Sequence, residues 1–280
     1  MNKEDKHIVL FDMDGTLTES RQVIENNMLE SIKELLQISN VEVGVVTGSD
    51  YDYVKQQLGL LLSESSMCQK IHVLPCNGTK YYTPPNSQND LYQLSYDEDM
   101  SMLLGKENMR SLMQMLIERQ SRFSYALDDL TGHFISYRGS MINWCPIGRN
   151  ASEEQRNNFI QLDNFYEPSL RLRELRALGY KLTELGLDSL LTVKLGGDTS
   201  FDIYPTGWDK RYCLKYFKGY KLWFVGDRCK ENGNDYEVFQ EVSKSGFAFE
   251  TDSPEKTCQI IEDIKIKIYK SNYNTAPRPS

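Results

Sequence analysis

No stretch of the 280-residue sequence comes near the ~20 consecutive apolar residues that a membrane helix needs, so no helical span is expected. Positive charge is not in excess: Lys plus Arg number 32 against 40 Asp plus Glu, a formal charge of −8. Sequence-blind nucleic-acid binders and anionic-membrane binders need the opposite balance, so neither partner is expected. Histidine is scarce, with three, and none stands at zinc-ligand spacing to another His or to Cys, which argues against a zinc site. The six Cys contain no C-x-x-C pair. The first residues, Met1-Asn2-Lys3-Glu4-Asp5-Lys6-His7, are charged where a signal peptide would be apolar. Together these predict reduced thiols and a cytoplasmic protein. There is no internal repeat and no low-complexity tract. What remains is an ordinary globular composition, 40% hydrophobic and 26% charged, at a length that predicts about two domains.

The first element is a short continuous apolar run, Ile8-Val9-Leu10-Phe11, which suits a strand buried on both faces of a parallel sheet. It ends abruptly in Asp12-Met13-Asp14-Gly15-Thr16. Over residues 22–37, Ile24, Met28, Ile32, Leu35 and Leu36 fall on one helical stripe. Val41, Val43, Val45 and Val46 form a second strand before Thr47-Gly48-Ser49-Asp50. A helix over 51–61 and a third strand over 71–74 follow. This alternation predicts an α/β domain with a Rossmann-like parallel sheet. The turn-forming run Thr83-Pro84-Pro85-Asn86-Ser87-Gln88-Asn89-Asp90 then breaks the rhythm. Helices read at 100–117, 152–159 and 169–178, with strands near Phe134, Tyr137, 141–144, 190–195 and 201–204, make a separate α+β block. The α/β rhythm returns with a helix at 208–217, a strand at 222–225, a helix at 236–242, a strand at 247–249 and a helix at 254–268. The expected organisation is a core of 1–85 and 207–280 split by an inserted cap of 86–206, with a loose polar tail after about residue 269.

Asp12 and Asp14 stand where a buried strand ends, on the crevice side of a parallel sheet. Gly15 lets the chain turn there. Gly226-Asp227 ends a second buried strand, and Gly233-Asn234-Asp235 follows just beyond. Several Asp residues converging on one crevice suit Mg²⁺, which prefers hard oxygen ligands. Thr47-Gly48-Ser49 ends another strand, where hydroxyls and N–H groups beside a helix start can hold a phosphate. Lys210 opens the return into the α/β domain, placed to neutralise phosphoryl oxygens. Singly, most of these features have ordinary readings as turns or solvated surface residues.

In chain order, Asp-x-Asp-Gly-Thr, then Thr/Ser, then Lys, then Gly-Asp with Asn-Asp, the set resembles the haloacid dehalogenase superfamily of phosphotransferases, with its second cap type. More narrowly, the run Thr18-Glu19-Ser20-Arg21 and the segment 45–50 resemble the eukaryotic-type phosphomannomutase family. So do Tyr137-Arg138, the run Met141-Ile142-Asn143-Trp144-Cys145-Pro146-Ile147-Gly148-Arg149, and 196–214 with its Ser200-Phe201-Asp202 and Gly207-Trp208-Asp209-Lys210-Arg211. The segments 226–228 and 233–239 complete the match, which spans nearly the whole chain. The resemblance implies a mutase that interconverts mannose 1-phosphate and mannose 6-phosphate through a hexose 1,6-bisphosphate, feeding GDP-mannose synthesis. It implies Asp12 as nucleophile and Asp14 as acid/base. Mg²⁺ would be held by Asp12, the Asp14 carbonyl and Asp227, with Asn234 and Asp235 shaping the site. Thr47, Ser49 and Lys210 would surround the transferring phosphoryl group. Arg21, Arg138 and Arg149 would bind the sugar phosphate, and Ser200 and Asp202 would contact the substrate. A homodimer formed through the cap is also implied. The chemistry is consistent: a carboxylate nucleophile splits phosphoryl transfer into two steps, and Arg forks grip phosphate bidentately.

Some positions depart from the family pattern. Thr131 stands where the family carries an Arg, with Arg122 and His133 as substitutes to weigh. Gly139 and Ser140 interrupt an Arg-Asn-Gly-Met run, Cys229 replaces a Thr, and 240–244 lack the Asp and Thr of a second, structural cation site. No second ion is expected. Two further readings stay open on the sequence: a sugar-phosphate phosphatase on the same scaffold, and a non-catalytic sugar-phosphate binder.

Overall fold

The computed structural model describes residues 5–274, apart from 65, 88–89, 124–126 and 128. The chain forms two compact units, Met1–Tyr96 with Lys210–Glu231 and Asp235–Ser280, and Asp97–Asp209 with Asn232–Asn234. The first unit is built on a seven-stranded sheet. Its strands are β1 (His7–Phe11), β2 (Val41–Val46), β3 (Ile71–Leu74), β4 (Lys80–Thr83), β5 (Gln93–Asp97), β10 (Lys221–Gly226) and β11 (Phe247–Glu250). They lie in the order β11-β10-β1-β2-β3-β4-β5. The pairs β11–β10, β10–β1, β1–β2 and β2–β3 are parallel, and β4 runs antiparallel to β3.

The continuous apolar run of β1 has a physical reason. Val9 and Phe11 pack into one core layer, and Ile8 and Leu10 into the other. The first layer is covered by α1 (Asn26–Leu36), α2 (Tyr51–Ser63) and α7 (Pro254–Asn274), with Met28, Ile32, Leu58, Leu61, Ile261 and Ile264 buried against the sheet. The second is covered by α6 (Tyr236–Ser243) and a 3-10 helix, Lys210–Phe217. The stripe expected over 22–37 is buried throughout, although the helix itself begins at Asn26.

The second unit carries a four-stranded antiparallel sheet of β6 (Ile135–Tyr137), β7 (Ile142–Trp144), β9 (Ser200–Pro205) and β8 (Leu191–Gly196), in that order. Its helices are α3 (Met100–Phe123, interrupted at Gly105), α4 (Glu153–Phe165) and α5 (Leu170–Glu184). Trp144 stacks on Phe201 with ring centroids 5.0 Å apart, among Leu112, Leu116, Phe159 and Leu178. Ser152 caps α4 in a reciprocal capping box with Gln155. Arg119 grips Glu174 from α3 to α5, and Arg171 grips Asp163 from α5 to α4.

Three expectations need correction. The break at 83–90 is a turn within the first unit, because β4 and β5 flank it and extend the core sheet; of this run, Gln88 and Asn89 lie outside the described residues. The insert therefore begins at Asp97 rather than 86, and the core resumes at Lys210 rather than 207. Neither strand could be read from a buried apolar pattern, since β4 is only half-buried and β5 is exposed along its length. The tail after residue 269 is helical to Asn274, as α7 runs on; residues 275–280 lie outside the described residues. The helix read at 208–217 is a 3-10 helix that begins at Lys210.

Candidate active site

Asp12 follows β1 directly, and its N–H donates to the Val225 carbonyl of β10 (2.9 Å), which continues the ladder one residue past the strand. Its buried carboxylate meets that of Asp227, half-buried at the end of β10, and that of Asp235, buried at the start of α6; one ligand atom from each of the three lies within 4.8 Å of the others. Lys210, fully buried, donates to Asp12 Oδ1 (2.5 Å) and Asp235 Oδ1 (2.6 Å). Asp235 Oδ2 accepts the Arg228 N–H (3.1 Å). The cluster sets three carboxylates against the Lys210 ammonium and the Arg228 guanidinium, whose Nε lies 3.5 Å from Asp227 Oδ2. Desolvation, followed by repulsion from Asp235 and Asp227, holds the Asp12 carboxyl well above the usual range, against the pull of Lys210. Burial and then Asp235 push Asp227 up to about 6. Burial alone would draw the Lys210 ammonium down, but Asp12 and Asp235 outweigh it and keep it protonated.

Asp227 Oδ1 is buried with no hydrogen-bond partner among the described residues. An orphaned carboxylate oxygen in a group with surplus negative charge fits a divalent cation, which supplies what the protein leaves unmade. Gly15 belongs to the same construction. Its φ is +81°, and a Cβ there would lie 2.5 Å from Asp227 Oδ2, so only glycine lets the turn after Asp12 pass this close.

Asp14 is held apart from that cluster. Its Oδ1 accepts the Arg21 N–H (3.0 Å), the Tyr53 hydroxyl (3.2 Å) and the Gln57 side-chain amide (3.1 Å). Tyr53 and Gln57 are one turn apart on α2, whose first turn is capped by the Asp50 carboxylate accepting the Tyr53 N–H (2.9 Å). The Arg21 side chain is exposed, so its described contact with Asp14 is through the backbone.

Thr47 and Ser49 sit between β2 and α2. Thr47 Oγ1 accepts the Ser49 N–H (3.1 Å). Their carbonyls accept N–H groups from Asn77 (2.8 Å) and Cys76 (2.9 Å), in a turn where Cys76, Asn77 and Gly78 all have positive φ. That turn meets the 3-10 helix: a Cβ on Gly78 would lie 2.5 Å from Cys213 Cβ, and Tyr216 donates to the Gly78 carbonyl (3.1 Å). The left-handed turn thus braces both the Thr47–Ser49 loop and the helix that starts with Lys210.

The second unit has its own buried polar group. Asn143 on β7 donates to Asp202 Oδ1 (2.7 Å) and Ser200 Oγ (3.0 Å) on β9, and accepts from Arg149 Nη1 (2.8 Å). Ser200 in turn donates to the Gly196 carbonyl. Gly196 must be glycine, since a Cβ would meet the Asp202 carboxylate at 2.7 Å. Arg138 is half-buried, and its N–H closes a tight connection to the Met141 carbonyl (2.8 Å). Thr131 spends its hydroxyl hydrogen on the Ile147 carbonyl (2.8 Å), and Arg122 pairs with Glu118 on the exposed face of α3. His133 is exposed. Cys229 is buried, and desolvation pushes its thiol up, which makes it unreactive.

Asp12, Lys210 and Asp227 are brought together, with Asp235 in the cluster rather than behind it. Asn234, next to Asp235 in the chain, has its Oδ1 buried and unpartnered among the described residues. Asp14 is close in sequence but tethered to α2. Arg149, Ser200 and Asp202 form one network. Sequence reasoning missed Tyr53 and Gln57, whose signal is an i, i+4 pair on the helix after the Thr47–Ser49 loop, and Asn143, the hub of the second network.

The profile of the eukaryotic phosphomannomutase family matches residues 28–267. A phosphomannomutase of Dendrobium officinale is 34% identical over 253 residues, covering 90% of this chain and 91% of that protein. One from Encephalitozoon cuniculi is 32% identical over 271 residues, covering 96% and 97%. Among solved structures, IMP-bound IMP-nucleotidase of Plasmodium falciparum superposes with a TM-score of 0.62 at 12% identity, covering 94% of this chain and 68% of that one. A trehalose-6-phosphate phosphatase related protein does so at 0.52 and 14%, covering 94% and 99%. At such identities the likeness is one of fold, that of the haloacid dehalogenase phosphatases. No helix among the described residues is long and apolar enough to cross a membrane.

Proposed function

The chain belongs to the eukaryotic phosphomannomutase family, and on that premise we propose that it interconverts mannose 1-phosphate and mannose 6-phosphate through a hexose 1,6-bisphosphate, on the route to GDP-mannose. The observation that carries this reading is the division of labour between two carboxylates. Asp12 is buried against Lys210, and Asp14 is tethered separately with three donors on one oxygen.

In the first half-reaction Asp12 Oδ attacks phosphorus while the bond to the sugar oxygen breaks. Asp14 gives its proton to that oxygen. In the second, Asp14 takes a proton from the acceptor hydroxyl as that oxygen attacks the aspartyl phosphate. Lys210 offsets charge on the transferring group, and the Thr47 and Ser49 hydroxyls receive its oxygens. Asp12, the Asp14 carbonyl and Asp227 would hold Mg²⁺, with Asn234 and Asp235 supporting them. Bound there, the ion neutralises phosphoryl oxygens as a Lewis acid. In the inserted unit, Arg138, Arg149, Ser200 and Asp202, with Arg21 of the core, receive the sugar phosphate. The exposed Met102, Leu103 and Ile117 of α3 support a homodimer through the inserted unit, which sedimentation of the purified chain would test.

A phosphorus NMR time course with mannose 1-phosphate, Mg²⁺ and a trace of glucose 1,6-bisphosphate tests the reading. Growth of mannose 6-phosphate is the expected result. Free phosphate as the main product would replace it with a Mg²⁺-dependent sugar-phosphate phosphatase. That second reading is favoured by one observation: Thr131, short and bonded to Ile147, offers no guanidinium to a distal phosphate.

A further inference from the structure

We propose that Tyr53 and Gln57 are positioning residues that lock the Asp14 carboxylate by Oδ1 and so make Oδ2 the oxygen that meets the bridging oxygen of the substrate. The inference rests on the role of Asp14 given above. All three described donors to this side chain converge on Oδ1, at 3.0, 3.1 and 3.2 Å, and Oδ2 accepts none among the described residues. A carboxylate oxygen offers two in-plane lone pairs, so Oδ1 is saturated and only Oδ2 is left to exchange a proton.

The clamp is itself held from behind. The buried Thr18 hydroxyl donates to Gln57 Oε1 (2.8 Å), which fixes the amide with its NH₂ toward Asp14, and the Ile24 N–H anchors the Gln57 carbonyl (2.9 Å). Asp50 fixes the start of α2, so Tyr53 and Gln57 reach Asp14 from consecutive turns of a capped helix. The third donor, the Arg21 N–H, comes from a residue with φ 67°, a conformation that turns this N–H back toward Asp14. A side chain needed only for packing would not require a phenol and an amide on the same carboxylate oxygen. Proton transfer to a leaving oxygen demands that alignment, because misplacing the acid removes most of the ~10²–10⁴-fold that general acid catalysis supplies.

The test compares donors that differ in their need for the acid. With mannose 1-phosphate the sugar oxygen leaves as an alkoxide unless it is protonated, whereas with p-nitrophenyl phosphate the leaving group is a stable phenolate. Phosphorylation of Asp12 is measured with each donor in the Mg²⁺-loaded enzyme, for wild type, Tyr53→Phe, Gln57→Leu and the double variant, with thermal melts recorded alongside. The ratio of the mannose 1-phosphate rate to the p-nitrophenyl phosphate rate is expected to fall about tenfold in Tyr53→Phe, and further in the double variant, with KM for mannose 1-phosphate little changed. Parallel loss with both donors would assign the pair a structural role and overturn the proposal, as would an unchanged ratio. Failure of the mutase reading shows separately, as a wild type that releases phosphate without isomerisation, and the donor ratio still reads the clamp in that case.

Discussion

In the core unit, three clustered carboxylates, two of them buried, face the Lys210 ammonium and the more distant Arg228 guanidinium, while in the inserted unit Asp202 is met by a neutral amide, Asn143, that Arg149 holds in place. The inserted unit also pairs the buried Glu174 with Arg119 and the buried Asp163 with Arg171. Burying charge without full compensation costs several kcal/mol per ion, so a fold keeps such a deficit only where something arrives to cancel it. On the proposed mechanism, the imbalance falls where a cation and a phosphoryl group would be received. The balanced network marks a surface that is finished before any ligand comes.

The largest effect that would sharpen this contrast is on turnover. Asp12→Asn keeps the shape and removes the nucleophile, so activity should drop by at least about 10³-fold while the circular dichroism spectrum is retained. Full activity in that variant would break the assignment. Next in size is Lys210→Met. It removes the one ammonium and leaves the buried carboxylates facing each other, so the metal-free protein should lose about 3–5 kcal/mol in a denaturant titration, and Mg²⁺ should restore part of that.

A smaller loss is expected on the other side. Asn143→Ala frees Asp202 and Arg149 from their common partner, which costs about 1–3 kcal/mol of stability and should raise KM for mannose 1-phosphate more than it lowers kcat. Equal effects on kcat and p-nitrophenyl phosphate hydrolysis would erase the distinction between the units. The smallest effect is a pH dependence confined to the core. Asp227, about 6 in the folded state against an ordinary 3.8, binds more protons folded than unfolded between those values. Stability of the metal-free protein should therefore decline as pH rises through that window, by on the order of 2 kcal/mol. Protons and Mg²⁺ compete for the same carboxylate, so the rise in Tm on adding Mg²⁺ should be larger at pH 7.5 than at pH 5.

Legibility in the sequence followed the same physical divide. Strands buried on both faces announce themselves as apolar runs, so β1, β2, β3 and β10 were readable, and so were the Asp residues at their ends. The half-buried β4 and exposed β5 carry no such run, and their absence from the reading moved the domain boundary by eleven residues, from 86 to 97. The 3-10 helix bearing Lys210 was legible as a helix but not as a tight one. Asp12 and Asp14 were legible as a pair, yet the structure separates their partners. Nothing in a D-x-D motif says that one carboxylate belongs to β10 and α6 and the other to α2. Tyr53 and Gln57 were hidden because an i, i+4 polar pair on a surface helix is common, and only the fold shows what it faces.

The order of the strands also fixes an order of events. β1 pairs with β10, some 210 positions later in the chain, and its other neighbour β2 comes only thirty residues after it. During synthesis β1 gains β2 and β3 early, but its opposite edge stays open while the whole inserted unit is made. All the strands and helices of that unit are made by residue 209. The last strands to arrive bring Lys210, Asp227 and Asp235 with them, so the closing of the sheet and the assembly of the charged cluster are a single event. A newborn chain stalled before residue 210 holds Asp12 without its ammonium and can neither finish the fold nor begin the chemistry.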